Sequence, residues 1–285
     1  MRSLLFVPAG VPKMLEKAAA SGADVVIYDL EDAVRPADKD AARALLAGHL
    51  ATRAQVGPRV AVRVNDLSTE WHKVDIEAIV PLRPDYLVLP KTTGPVDLET
   101  LAASIYPLEQ QPGATGIIAI ATEAVASVLS LARRPWAHPR LRALMWGGED
   151  LAADMGASAN RTASGSYSSP FRLARDLCLL AAKEARVAAI DAVFTDFRNG
   201  EALREEAREA RCDGFDGKAA IHPAQVPVIN EVFCPTQEEL DWAQRVLGAI
   251  AAAGSGVAVV DGQMIDAPHA VRARRILASA RRDPT

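Results

Sequence analysis

The chain alternates between short, nearly continuous apolar runs and longer stretches whose apolar residues follow a helical repeat. Six runs, at 3–8, 24–29, 59–64, 85–90, 116–121 and 142–147, read as strands. Two weaker runs follow at 190–195 and 214–219; the last is poor in strand-forming residues and is assigned from the count and spacing. Apolar runs without alternation suit parallel strands covered on both faces. Helices are expected at 12–21, 38–54, 96–106, 124–134, 171–187 and 200–210. In the last of these, Glu201, Glu205 and Glu209 alternate with Arg204 and Arg208 on a solvated face. Eight strands, each followed by a crossover, predict a (β/α)₈ TIM barrel over residues 1–222. A doubly wound sheet is the second choice. It would be favoured by Gly-x-Gly-x-x-Gly after the first strand, and Val7-Pro-Ala-Gly-Val-Pro12 lacks that spacing.

Residues 223–285 exceed what a barrel needs. A helix over 236–253 starts at Thr236, a good cap, with Glu238 and Glu239 in its first turn. A hairpin-like or extended segment follows, closed by a helix at 268–281. This tail reads as a lid, an oligomer contact, or both. Within the barrel, residues 156–169 form the longest stretch without periodicity and are expected to be a substrate loop.

Composition narrows the partners. A net charge of −4, from 32 basic and 36 acidic side chains, gives no basis for binding nucleic acid or an anionic membrane. No stretch approaches the roughly 20 apolar residues of a membrane helix, and the amino terminus lacks the pattern of a signal peptide. Cys178, Cys212 and Cys234 have no Cys-x-x-Cys spacing, which suits a reduced, cytoplasmic setting. Cys178 reads as a small buried apolar residue.

In a barrel the carboxyl ends of all strands converge on one face. Asp29, Glu31 and Asp32 follow the second strand, Arg63, Asn65 and Asp66 the third, and Lys91 the fourth. Thr122 and Glu123 follow the fifth, Glu149, Asp150 and Asp154 the sixth, and Thr195 and Asp196 the seventh, while the eighth carries Lys218. Gly147 and Gly148 are expected to make the sharp turn that presents the acidic cluster. Several carboxylates without a cysteine–histidine set point to a hard ion, Mg²⁺ with Mn²⁺ as the alternative, and Glu123 with Asp150 is the best ligand pair. Zinc is disfavoured, because none of the five histidines falls at ligand spacing. His222, in Ile221-His-Pro223, reads chiefly as a structural histidine fixing its loop. Arg63 suits a fork on a substrate carboxylate or carbonyl oxygen, or a pairing with Asp29 or Glu31. No Gly-x-Ser-x-Gly elbow is present.

Seven segments give the chain a resemblance: Arg2-Ser-Leu-Leu-Phe-Val-Pro8, Asp29-Leu-Glu-Asp-Ala-Val34, Arg63-Val-Asn65, Leu89-Pro-Lys91, Trp146-Gly-Gly-Glu-Asp-Leu151, Gly217-Lys-Ala-Ala-Ile-His-Pro-Ala-Gln225 and Asp261-Gly-Gln-Met-Ile-Asp-Ala-Pro268. Together they resemble the citrate lyase β-subunit-like proteins of the HpcH/HpaI aldolase superfamily, which include malyl-CoA and citramalyl-CoA lyases. The resemblance implies Mg²⁺ on Glu123 and Asp150, and Arg63 as the clamp on the acid or carbonyl portion, with Glu31, Asp32 and Lys91 beside it at the substrate. It implies Asp266 as an acid/base supplied from the lid of a neighbouring subunit, hence a homotrimer or homohexamer with exchanged lids. Many members carry Glu-Thr-Ala after the fifth strand, whereas this chain has Thr122-Glu-Ala-Val125, which marks a different substrate subset.

The expected reaction is Mg²⁺-dependent cleavage of a 3-hydroxy-dicarboxylic acyl-CoA to an acyl-CoA and glyoxylate or pyruvate, CoA entering only as part of the substrate. Three alternatives stay open: a thioesterase on malyl-CoA-like thioesters, the β subunit of a larger citryl-ACP or citryl-CoA lyase, and an aldolase for free hydroxy-acids. The residues that bind the CoA nucleotide are not fixed; Lys13 and Arg35 are candidates for its phosphates or plain solvated cations.

Overall fold

The computed structural model describes residues 1–54, 56–253 and 256–280. Eight parallel strands close into a (β/α)₈ TIM barrel, in the order of the chain. They are β1 (Ser3–Pro8), β2 (Val25–Asp29), β3 (Arg59–Arg63), β4 (Tyr86–Leu89), β5 (Gly116–Ile120), β6 (Leu141–Met145), β7 (Ala188–Asp191) and β8 (Gly217–Ala220). The helices are α1 (Pro12–Ala18), α2 (Lys39–Ala51), α3 (Trp71–Ile79), α4 (Pro95–Ile105), α5 (Val125–Leu131), α6 (Glu149–Met155), α7 (Ser169–Glu184), α8 (Gly200–Asp213) and α9 (Val226–Phe233). Closure of the ring excludes the doubly wound sheet.

Alternate residues of the strands form the inner core: Leu4, Val25, Ile27, Ala61, Val88, Ile118, Ile120, Ala143, Met145 and Ile190. Their neighbours in sequence, such as Leu5, Val26, Val62, Leu87, Ile117 and Leu144, are just as buried, but against the helices. That double coverage is why the strands carry apolar residues at consecutive positions. The seam between β8 and β1 depends on Gly217. A Cβ there would lie 2.4 Å from the carbonyl oxygen of Met1 and 2.5 Å from that of Arg2.

The chain divides into two compact units, Met1–Asn230 and Glu231–Thr285. In the second unit, α10 (Gln237–Ala253) precedes an antiparallel pair, β9 (Ala258–Val260) and β10 (Gln263–Ile265), and α11 (Ala267–Ala280). Thr236 caps α10: its hydroxyl accepts the Glu239 amide at 3.2 Å, and the Glu239 carboxylate accepts the Thr236 amide at 2.8 Å. Ala243, Val246, Val260, Ile265 and Ala273 form a small core of this unit's own. Gly254 and Ser255, at the start of the expected hairpin-like or extended segment, and Arg281, at the end of the expected last helix, lie outside the described residues. Among the described residues no helix is long and apolar enough to cross a membrane.

Two strand-end expectations are corrected. β7 runs over Ala188–Asp191 rather than 190–195, so Thr195 and Asp196 lie in the loop beyond it. The apolar residues Ala192, Val193 and Phe194 continue the hydropathy of the strand past its end, while Asp191 is buried within it. β8 runs over Gly217–Ala220 rather than 214–219, and its Lys218 is buried with no exposure, not displayed at the rim. As expected, the chain bends at Gly148 between β6 and the acidic cluster, though neither Gly147 nor Gly148 has positive φ. Gly148 is needed for space, since a Cβ there would lie 3.1 Å from the Trp146 ring.

Candidate active site

The loops after β2, β3, β4, β5 and β6 meet at the carboxyl rim of the barrel, where such folds build their sites. A cavity of about 410 Å³ opens there. Its lining combines charged groups, Asp29, Asp32, Arg63, Glu123, Glu149 and Asp150, with apolar and aromatic ones, Phe6, Ile120, Met145, Trp146, Tyr167 and Val193. The two kinds touch, since the Arg63 guanidinium lies 5.0 Å from the centre of the Phe6 ring. Glu123 and Asp150 also wall a second cavity of about 530 Å³, which holds Asp66, Ser68, Lys91, Asp97 and Asp154.

The charged part of the lining is assembled around Asp29 and Arg63, which end β2 and β3 side by side in the sheet register. Arg63 forks onto Asp29 through Nε at 2.8 Å and Nη2 at 2.7 Å. Its Nη1 lies 2.9 Å from Glu31 Oε2, close enough to pair as ions, though not with hydrogen-bond geometry. The Asp29 carboxylate also accepts the amides of Glu31 and Ala33, at 2.8 and 3.1 Å, and so winds the acidic turn around itself. Two of the guanidinium's five N–H donors go to Asp29, and Nη1 faces Glu31 and, at 3.6 Å, Asp32 Oδ2, leaving one donor on Nη2 for a ligand. The sequence left Arg63 as clamp or as partner of Asp29 and Glu31; it is their partner, with one donor to spare.

Lys91 joins this cluster from β4. Its ammonium donates to Glu31 Oε1 and reaches Asp32 Oδ1 at 3.5 Å. Its backbone stands at φ 50°, the left-handed region that side chains other than glycine's disfavour. In that conformation the Lys91 amide donates to Glu123 Oε2 at 2.5 Å. A strained residue that aims a donor at a buried carboxylate is the kind of distortion that collects at functional sites.

Glu123 is 6% exposed. Burial pushes its carboxyl up to about 8, against the Lys91 amide, and the nearby charges of Asp150 and Glu31 push the same way. Burial likewise raises the Glu31 carboxyl above the usual carboxylate range, despite Arg63 and Lys91. Thr122 clips β5 to the turn after β6: its hydroxyl donates to the Gly147 carbonyl at 3.0 Å and accepts the Gly147 amide at 2.8 Å. That clip sets Glu123 beside Glu149 and Asp150. Asp154 turns away to take the Val125 amide at 2.7 Å, at the start of α5.

Other candidates have structural duties. Asn65 is buried, donating to the Asp75 carboxylate at 2.6 Å and accepting from Lys39 at 2.6 Å. Lys39 also donates to the carbonyls of Leu30 and Glu31, at 2.8 and 2.7 Å, and so fixes the acidic turn from behind. Lys39 and Asp75 are supports that the sequence reading passed over. His222 caps the turn at Pro223, accepting the Ala224 amide at 3.2 Å, and stacks on Phe197 with ring centres 4.7 Å apart. Asp266 belongs to the second unit, where its carboxylate lies 2.7 Å from His269 Nδ1 and its carbonyl accepts the Ala270 amide in the first turn of α11.

The sequence model of the HpcH/HpaI aldolase/citrate lyase family matches residues 2–223. The chain belongs to this family. A (3S)-malyl-CoA thioesterase of Cereibacter sphaeroides is 39% identical, over 98% of this chain and 94% of its own. The citrate lyase subunit beta of Leuconostoc mesenteroides subsp. cremoris is 35% identical, over 97% and 92%. Among solved structures, the protein CitE of Mycobacterium tuberculosis in complex with magnesium, acetoacetate and coenzyme A superposes with a TM-score of 0.80 at 37% identity, covering 98% of this chain and 97% of that one.

Proposed function

We propose that this chain is a Mg²⁺-dependent carbon–carbon lyase for a 3-hydroxy-dicarboxylic acyl-CoA of the malyl-, methylmalyl- or citramalyl-CoA type. The observation that carries this reading is the meeting of Glu123, Asp150 and Arg63 in one cavity. Six carboxylates (Asp29, Glu31, Asp32, Glu123, Glu149, Asp150) surround two cations (Arg63, Lys91), an excess that calls for a metal ion. No histidine or cysteine lines either cavity. Among the described residues no three His, Cys, Asp or Glu side chains are grouped to hold a metal. Mg²⁺ fits such a site, because it takes one or two protein carboxylates and fills its octahedron with water or ligand oxygens. Related CitE structures hold magnesium with acetoacetate or pyruvate, small acids of the class this cavity would take.

Glu123 and Asp150 would hold the ion, which when bound supplies Lewis-acid stabilisation of charge on the substrate's oxygens. The remaining donor of Arg63 would bind a carboxylate or carbonyl oxygen of the substrate. In the cleavage direction the substrate's hydroxyl gives up its proton to solvent and becomes the oxo-acid's carbonyl, while the electron pair of the breaking C–C bond passes to the thioester's α-carbon. Asp266, from the lid of a neighbouring subunit in a homotrimer or homohexamer, would give that carbon its proton and take one in the reverse direction. Met264 and Val259 pair across the β9–β10 hairpin and are 72% and 70% exposed, which supports a docked lid. Residues 1–222 form the catalytic domain in this reading, and 223–285 the lid extension.

Thioester hydrolysis is the second reading, favoured by the (3S)-malyl-CoA thioesterase at 39% identity. A β subunit of a larger lyase is the third, favoured by the citrate lyase relative. Incubation with Mg²⁺ and malyl-, methylmalyl-, citramalyl- and citryl-CoA, with products resolved by mass, separates them. An acyl-CoA plus an oxo-acid establishes the lyase, whereas free CoA plus the intact hydroxy-acid replaces it with the thioesterase. Inactivity on all four overturns both. Asp266→Asn should bind Mg²⁺ normally and lose turnover; full activity would remove Asp266 from the mechanism.

A further inference from the structure

Two aromatic rings of the apolar lining, Trp146 and Tyr167, come from different parts of the chain, and one closed circuit of contacts holds both. The rings meet edge to face, 4.7 Å between centres. The guanidinium of Arg161 covers Tyr167 at 3.8 Å from its centre. Arg161 Nη2 pairs with Glu206 Oε2 at 2.8 Å, and Glu206 Oε1 accepts from Lys218 Nζ at 2.9 Å. Lys218 Nζ donates to Asp191 Oδ2 at 2.5 Å, and Asp191 Oδ1 accepts the Trp146 indole N–H at 2.7 Å, which closes the circuit. Lys218 and Asp191 face each other across the β7–β8 register and are 0% and 1% exposed. Ion pairs this deep are costly to desolvate and tolerate little displacement. The circuit therefore ties the loop that carries Tyr167 to the barrel strands, so the ring is a fixed wall.

We infer that Tyr167 determines specificity at this site by limiting the size of the carbon substituent on the oxo-acid half of the substrate, and that Arg161 is its positioning residue. The inference rests on the proposed reading that the cavity takes an oxo-acid. The charged groups of the lining suit the acid's oxygens, whereas a substituent on carbon suits the apolar lining supplied by Ile120, Met145, Trp146 and Tyr167. Arg161 does not line the cavity, so it acts on a ligand only through the ring it covers.

The test measures binding of glyoxylate, pyruvate, 2-oxobutyrate and 2-oxoisovalerate by calorimetry in the presence of Mg²⁺, to the full-length wild type and to Tyr167→Phe, Tyr167→Ala and Arg161→Met. One carbon against a fixed apolar wall changes affinity by roughly tenfold or more. The wild type should lose affinity steeply as the substituent outgrows the cavity. Tyr167→Phe should keep that rank order, while Tyr167→Ala should relax or reverse it by about tenfold. Arg161→Met should shift it in the same direction with an unchanged thermal midpoint for the barrel. If the acids bind but Tyr167→Ala keeps the wild-type order, the wall is refuted and the oxo-acid reading stands. If Tyr167→Phe weakens every acid as much as Tyr167→Ala, the hydroxyl is what the ligand needs and the size argument is refuted. If no acid binds the wild type, the oxo-acid reading falls and this inference falls with it.

Discussion

Replacing Glu123 by glutamine should stabilise the metal-free protein while removing its affinity for Mg²⁺. The Glu123 carboxyl has an ordinary value of 4.5 and is pushed up to about 8 in the fold, chiefly by burial. A carboxyl raised by folding holds its proton more tightly in the folded than in the unfolded chain. Its favourable contribution is therefore complete below pH 4.5 and is lost as the pH climbs through 8. Across that window the loss runs at about 1.4 kcal/mol per pH unit, reaching about 3 kcal/mol at pH 7. Glutamine carries no charge and escapes the loss. Urea unfolding of both proteins in EDTA, from pH 5 to pH 9, measures the effect as a difference, so that groups titrating alike in both cancel. The variant should gain on the wild type up to pH 8 and run parallel to it above. Excess Mg²⁺ should then raise the wild type alone, by RT ln(1 + [Mg²⁺]/Kd). A difference that stays flat from pH 5 to pH 8 would refute the account of Glu123 as a carboxylate burdened by burial.

Three further substitutions probe the frame. Gly217→Ala should open the seam between β8 and β1, where its Cβ would lie 2.4 Å from a backbone oxygen; we expect a loss of about 3 kcal/mol or more, or insoluble protein, seen by thermal melting. Lys218→Met should cost about 3–5 kcal/mol in urea unfolding, because it leaves Asp191 buried opposite an apolar chain; a neutral outcome would mean that Arg175 alone, 3.2 Å away, holds Asp191. Glu109 lies under the Arg140 fork, at 2.8 and 2.7 Å. Burial opposes its charge, but Arg140 and the amides of Thr115 and Gly113 hold its carboxyl down, to about 2. The stability it contributes is present above pH 4.5 and disappears as pH falls toward 2, so Glu109→Gln should flatten the acid limb of the unfolding profile.

Much of the barrel could be read from hydropathy, because strands buried on both faces appear as unbroken apolar runs. The reading failed where charge is paired inside the fold. Asp191 and Lys218 look like surface residues by type, and their pairing with each other, with Arg175 and Glu206 beside them, explains how they are buried. Helices α3, α6 and α9 were passed over: α6 holds the acidic cluster in its own first turn, and α3 and α9 are each under ten residues long. The gathering of Asp29, Glu31, Asp32, Arg63, Lys91, Glu123 and Asp150 followed from strand ends alone, since a closed parallel ring brings those ends together whatever the residues are. The pairing of Arg63 with Asp29 and Glu31 stood only as one of two alternatives, because the choice depends on side-chain geometry. Tyr167 left a faint signal, as the one aromatic residue in the 156–169 stretch of small and polar residues.

The seam at Gly217 also orders events as the chain is made. Ser3 pairs with Lys218 and Leu5 with Ala220, so the first strand to leave the ribosome waits for the last before its outer edge is satisfied. Until then the growing sheet carries two open edges with largely apolar strands, the condition under which strands recruit the wrong partners. Contacts this distant in sequence also slow the search for the native ring. The vulnerable species in production of this protein is therefore a chain stalled or truncated before residue 220, and slower synthesis at lower temperature should raise the soluble yield more than any change to the rim.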